Sequence, residues 1–127
     1  MPTVHLTEAN FKSTVESGLV FLDFWAAWCG PCRSFAPIFE EASNRHPDVV
    51  FAKIDTDANQ EIAGTFGIRS IPTLMIMRDG IVLFSEPGVV PGEALDDLVT
   101  KAKALDMDEV RRSIAAEQST AADVTSR

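Results

Sequence analysis

The sequence predicts an α/β domain: a five-stranded mixed sheet with helices on both faces. Three observations predict it. Strand-like and helix-like stretches alternate in the order βαβαβαββα. Two apolar runs, LVFLDFW at 19–25 and VVFAKID at 49–55, are rich in β-formers and long enough for strands buried on both faces. The stretches TLMIM and IVLFS flank Arg78-Asp79-Gly80, where Asp-Gly is a strong hairpin signal. Right-handed crossovers then place helices on both sides of the sheet. With 127 residues the chain can bury a core without covalent staples.

Taken in order, TVHL (3–6) is a short strand, and Thr7 is placed to cap a helix over 8–17 that Gly18 stops. Phe11 and Val15 share a face of that helix. After LVFLDFW, the segment RSFAPIFEEASNRH (33–46) sets Phe35, Ile38, Phe39 and Ala42 on one stripe, with Pro37 inside it as a predicted kink. Asp57 is placed to cap a helix over ANQEIAGTF (58–66), which Gly67 ends. The domain's last helix begins near Gly92 and runs through Leu95, Leu98, Val99, Ala102 and Leu105. This predicts a domain over 1–105 and an extension over 106–127. The extension opens on the capping box Asp106-x-x-Glu109, and Val110 and Ile114 share a narrow apolar stripe. A helix is predicted over about 107–117, adding little stability, and STAADVTSR (119–127) is predicted to lack structure.

Charge and apolar patterning exclude several functions. Against 11 basic residues stand 19 acidic ones, a net charge of −8, which argues against nucleic-acid or anionic-membrane partners. The opening MPTVHLTEANF has neither a basic n-region nor an apolar core, and the longest apolar stretch, LVFLDFWAAWC, is interrupted by Asp23 and too short to span a bilayer. A soluble protein of the reducing cytoplasm is the simplest inference. In that compartment Cys-x-x-Cys is more often redox or metal chemistry than scaffolding.

Both cysteines of the chain stand in WCGPC, residues 28–32. A bridge between them closes almost no loop, and disulfide stabilisation grows with loop length, so a structural role fits poorly. Structural zinc needs four ligands, and only His5 and His46 remain, at no ligand spacing, so no metal is expected. The surroundings suit redox chemistry. Cys29 follows a strand and stands where a helix should begin, so free N–H groups and the helix dipole favour its thiolate. Cys32 lies on the same helical face, within reach of a disulfide. Pro31 in the first turn sacrifices no helical hydrogen bond, and Gly30 leaves the approach to Cys29 open. An exposed attacking thiol backed by a shielded second one is a dithiol–disulfide exchange device. Asp23, among Leu22, Phe24 and Trp25, is disfavoured as a carboxylate by desolvation; its raised pKa suits it to take the proton of Cys32.

In order and separation, FWAAWCGPC, Asp23, FAKID with Lys53, GIRSIPT with Pro72 and the glycine Gly88 resemble the landmarks of the thioredoxin family, over roughly residues 3–105. The resemblance implies a thioredoxin fold, a central five-stranded mixed sheet flanked by four helices, here with an added C-terminal helix. It implies that Cys29 attacks a substrate disulfide, that Cys32 resolves the mixed disulfide, and that the pair forms a redox-active disulfide. Gly30 and Pro31 would tune the redox poise, and the absence of a histidine at Pro31 points to a reductant. Lys53 would be the buried partner of Asp23; the bland alternative is a simple buried ion pair.

The resemblance further implies a cis Ile71–Pro72 bond beside the cysteines and an apolar docking patch of Trp28, Ile71, Pro72, Gly88 and Val89. Ile71 would offer its backbone to an extended substrate. Trp25 is expected in the core rather than in the patch. No bound cofactor is implied: electrons would come from an NADPH-dependent flavoprotein thioredoxin reductase, the substrates would be disulfide-containing proteins, and the chain would act as a monomer. Arg33 stands where many members carry lysine, position 27 is Ala rather than an acid, and the family offers no role for 106–127. The alternative is a non-enzymatic binding or assembly subunit of the same fold, which would not turn over a disulfide substrate.

Overall fold

The computed structural model describes residues 2–125. In chain order the elements are β1 (Thr3–His5), α1 (Phe11–Val15), β2 (Leu19–Trp25), α2 (Gly30–Arg45), β3 (Val50–Asp55), α3 (Gln60–Thr65), β4 (Thr73–Arg78), β5 (Ile81–Pro87), α4 (Gly92–Ala104) and α5 (Met107–Thr125). The strands form one five-stranded mixed sheet, as the sequence predicts, and their order in it is β1-β3-β2-β4-β5. β3 runs parallel to both β1 and β2, whereas β4 is antiparallel to β2 and to β5. The β4–β5 turn places Asp79 at φ 53° and Gly80 at φ 81°. Two consecutive left-handed residues twist the backbone to suit a two-residue hairpin, which is why Asp-Gly occurs here.

Alternation along the strands sorts two apolar faces. Phe21, Phe51, Leu74 and Ile76 point to one side and pack with Phe35, Phe39 and Ala42 of α2 and with Leu95 and Val99 of α4. Val20, Leu22, Phe24, Ile54 and Met75 point to the other, against Val15 of α1 and Ile62 of α3. The predicted stripe of α2 is thus the buried one, and the helix continues unbroken through Pro37. On the period of two, Asp23 shares the face of Phe21, under α2.

Several boundaries differ from the sequence expectation. Residues 8–10 form a turn, and the first helix is only Phe11–Val15. The Asn10 side chain accepts from the Thr7 N–H at 2.7 Å, and such local bonds compete with the helix. Asp55, not Asp57, ties the loop before α3, its Oδ1 accepting from the amides of Asp57 (2.9 Å) and Ala58 (3.3 Å). His46 is the C-cap of α2, and its Nε2 lies 2.6 Å from Asp96 Oδ1, joining α2 to α4.

α5 runs past the predicted end near 117 to Thr125; Ser126 and Arg127 lie outside the described residues. After Gly92 the sequence has no Gly or Pro to stop a helix, and its alanines favour one. Asp106 caps α5 as predicted, its Oδ1 accepting from the amides of Asp108 (3.0 Å) and Glu109 (3.3 Å). Arg78 ties down the preceding turn, donating from one Nη to the carbonyls of Ala102 and Leu105, each at 3.0 Å.

Candidate active site

The site is assembled where β2 ends and α2 begins. Cys29 is the N-cap of α2, extended at φ −87° and ψ 114°, and its Sγ accepts from the Cys32 amide at 3.2 Å. Pro31 occupies the first turn, where a missing N–H costs nothing. The Cα atoms of Cys29 and Cys32 are 5.2 Å apart and the two sulfurs are joined in a disulfide. Both cysteines are buried, 4% and 3% exposed, so the expected contrast of an exposed and a shielded thiol is absent in this oxidised state. Ala26 completes their cluster, with Trp25 and Ile71 packed against it.

Ile71 and Pro72 come from the loop before β4 and are joined by a cis bond. The Ile71 carbonyl oxygen lies 3.6 Å from Cys29 Sγ. The Pro72 carbonyl accepts from the Gly88 amide at 2.8 Å, which draws the end of β5 toward the same loop. Gly88 adopts φ 107°, a conformation that side chains resist, and Val89 beyond it is exposed.

Trp28 is 69% exposed, whereas Trp25 is half-buried and faces the cluster. The exposed indole is held in place: Trp28 Nε1 donates to Asp57 Oδ2 at 2.9 Å. Sequence reasoning missed this role for Asp57, taking its position before a helix as the stronger signal. Arg33 also reaches back over the motif, one Nη donating to the Ala27 carbonyl at 3.0 Å. Two side chains therefore hold the Trp28 loop from opposite ends.

Asp23 is fully buried and neither carboxylate oxygen has a hydrogen-bond partner. Burial pushes its carboxyl up to about 7, with the attraction of Lys53 pulling the other way. Lys53 is its register partner on β3, but its Nζ rests 5.2 Å from the centre of the Trp25 ring. Among the described residues no group of three or more His, Cys, Asp or Glu is arranged to hold a metal, and no helix is long and apolar enough to cross a membrane.

The comparisons with known proteins agree with this geometry. The thioredoxin family model matches residues 2–101. The chain is 51% identical over 120 residues to a protein of Streptomyces coelicolor described as putative thioredoxin 2, covering 94% of this chain and 90% of that one. It is 45% identical over 102 residues to the thioredoxin of Bacillus subtilis, covering 80% of this chain and 98% of that one. The 6% left out of the first match cannot hold α5, so that match runs through most of the extension. With the paired cysteines at the head of α2, these matches show that the chain belongs to the thioredoxin family of thiol–disulfide oxidoreductases.

Proposed function

We propose that the chain reduces disulfides in protein substrates through Cys29 and Cys32, with Asp23 as proton acceptor. In the reduced protein, the helix N-terminus and the Cys32 amide favour the Cys29 thiolate. That thiolate attacks one sulfur of the substrate disulfide; the substrate S–S bond breaks and the other substrate sulfur leaves as a thiolate that takes a proton from water. The Cys32 thiol then gives its proton to Asp23 and attacks Cys29 Sγ. The mixed disulfide breaks, the second substrate sulfur departs as a thiolate that takes a proton from water, and the Cys29–Cys32 bridge remains. Two electrons have passed from protein to substrate.

The observation that carries this reading is the Cys29–Cys32 disulfide at the N-cap of α2. The sheet face under α2 also carries Asp23 of β2, a carboxyl that burial makes a competent proton acceptor near neutral pH. Lys53, half-buried rather than fully buried, supports it as a nearby cation, while Gly30 and Pro31 set the poise of the pair. Trp28, Ile71, Pro72, Gly88 and Val89 form the docking patch, with the Ile71 backbone open to an extended substrate segment. The domain ends near Leu105 and 106–127 is an added element. The chain works as a cytoplasmic monomer, without a bound cofactor, and an NADPH-dependent flavoprotein reductase restores its dithiol.

Insulin reduction tests the assignment. Cys29→Ser should abolish turnover, and Cys32→Ser should accumulate a mixed disulfide with the substrate. Normal turnover by Cys32→Ser would remove the resolving role, and no turnover by the parent chain would leave a binding module.

A further inference from the structure

Away from the cysteines, an open groove of about 530 Å³ runs between β5 and α5. Ile81, Val82 and Leu83 line it from the strand, and Leu105, Val110 and Ile114 from the helix side. Val82 is 43% exposed and Leu105 41% exposed. Scattered exposed apolar residues are ordinary, but their convergence in one groove marks an interaction surface. The strand is also an edge: among the described residues β5 pairs with β4 alone and no strand covers its other side. Its sequence IVLFSEP has no lysine and its one proline stands at the far end. The register shift against β4 at Leu83 bends the strand beside the groove but adds no partner strand to its outer side.

Charge narrows the occupant. Asp106, Glu109 and Glu117 line the groove, and among the described residues no Lys or Arg does. Glu109 and Glu117 are eight residues apart on α5, hence about 12 Å apart along the helix. An extended chain covers that span in about four residues, and residues four apart in a strand point the same way. A second copy of this chain fits poorly, since it would bring a net charge of −8 to an acidic rim.

We propose that this groove binds an extended segment of a partner protein, in which apolar residues are flanked by two basic residues four apart, added as a strand to the free edge of β5. The groove lies at the opposite end of the sheet from the disulfide. Ile81 pairs with Arg78, and Arg78 with Leu19 at the start of β2, whereas Cys29 follows its end. A segment held there is a tether, not the disulfide being reduced. Occupancy of the groove and the chemistry of the cysteines are independent.

The test uses the full-length oxidised chain, labelled for amide NMR, and the peptides GKVTVKG and GEVTVEG. The basic peptide should shift the amides of Ile81, Val82 and Leu83 and those of Val110 and Ile114, and should bind at least tenfold more tightly than the acidic one. Joint Glu109→Gln and Glu117→Gln substitution should weaken the basic peptide severalfold, as should Val82→Lys at an exposed position, with the remaining spectrum unchanged. Absence of shifts at millimolar peptide, equal binding of the two peptides, or shifts centred on Trp28 and Val89 would each overturn it.

Discussion

Asp23 and Lys53 stand opposite each other on β2 and β3, yet the Asp23 carboxylate oxygens have no hydrogen-bond partner and the Lys53 ammonium rests over Trp25. The carboxylate therefore bears the cost of burial with little compensation. A buried pair in close contact would be held charged; this arrangement instead raises the carboxyl to about 7, so that it exchanges its proton near neutral pH.

The first prediction concerns stability. The native carboxyl titrates at about 7, against about 3.9 for an unfolded aspartate. Between these values the native state holds a proton that the unfolded state has lost, so this group lowers stability as pH rises through the window, and the cost is complete above it. At about 1.4 kcal/mol per tenfold change in proton affinity, the full effect is on the order of 4 kcal/mol. Asp23→Asn removes the titration. The stability of Asp23→Asn relative to the parent, measured by denaturation of the oxidised proteins, should grow by roughly this amount between pH 4 and pH 8. A constant difference across that range would mean an ordinary carboxyl.

Catalysis by the same variant should fail at one step. The first attack by Cys29 does not use the carboxyl, whereas resolution by Cys32 does. Positioned proton transfer is worth about 10²- to 10⁴-fold. Asp23→Asn should therefore slow release of a preformed mixed disulfide by about tenfold or more, and flatten the rise of that rate through pH 7. Stopped-flow release of a fluorescent mixed disulfide reads both quantities, and an unchanged pH profile would remove Asp23 from the step.

Asp57 should matter through Trp28 alone. Their hydrogen bond at 2.9 Å is exposed, so losing it should cost no more than about 1 kcal/mol of stability. Freed of it, the indole samples more rotamers and docking loses preorganisation. Asp57→Ala should raise KM for a protein disulfide roughly two- to tenfold, with kcat within about twofold, on the scale of 1.4 kcal/mol per decade. Time-resolved anisotropy of the Trp28 emission should fall in parallel. Unchanged KM and anisotropy would show that the contact positions nothing.

Much of this was legible because strong signals were local. LVFLDFW could only be a buried strand, and β2 occupies those seven residues. WCGPC, next to a strand and before an apolar helical stripe, placed the cysteines at a helix start. What escaped were side chains with two options. Asp57 has the chemistry of a cap, but α3 starts after Asn59 with no side-chain cap, Asp55 binds the loop amides before it, and Asp57 is left to Trp28, a choice fixed by tertiary position. Thr7 and Asn10 bonded each other and shortened α1. The burial of Cys29 also escaped, because it depends on Ile71 arriving from a loop 42 residues away.

The last prediction concerns α5, where structure and sequence pattern point to different magnitudes. Val110 and Ile114 form a narrow stripe and are half-buried, which by itself suggests a weakly held helix. Met107, however, is buried at 7% exposure, and Arg111 lies 3.7 Å from Asp79 in the β4–β5 turn. The ion pair is exposed and worth little. The methionine is the larger quantity, since fully burying such a side chain stabilises by about 1.5–3 kcal/mol. Truncation after Leu105 removes it, so the oxidised domain should lose roughly 1–3 kcal/mol, more than the sequence pattern suggests. Activity should survive, because α5 lies against the Ile81 end of β5 and the disulfide lies at the other end of the sheet. Denaturation and insulin reduction on the same truncated preparation separate the two effects. Substituting Met107→Ala in the full chain should reproduce most of the stability loss. If it reproduces none, the helix is held by contacts other than this one; if truncation abolishes reduction in a protein that remains folded, α5 belongs to the working site.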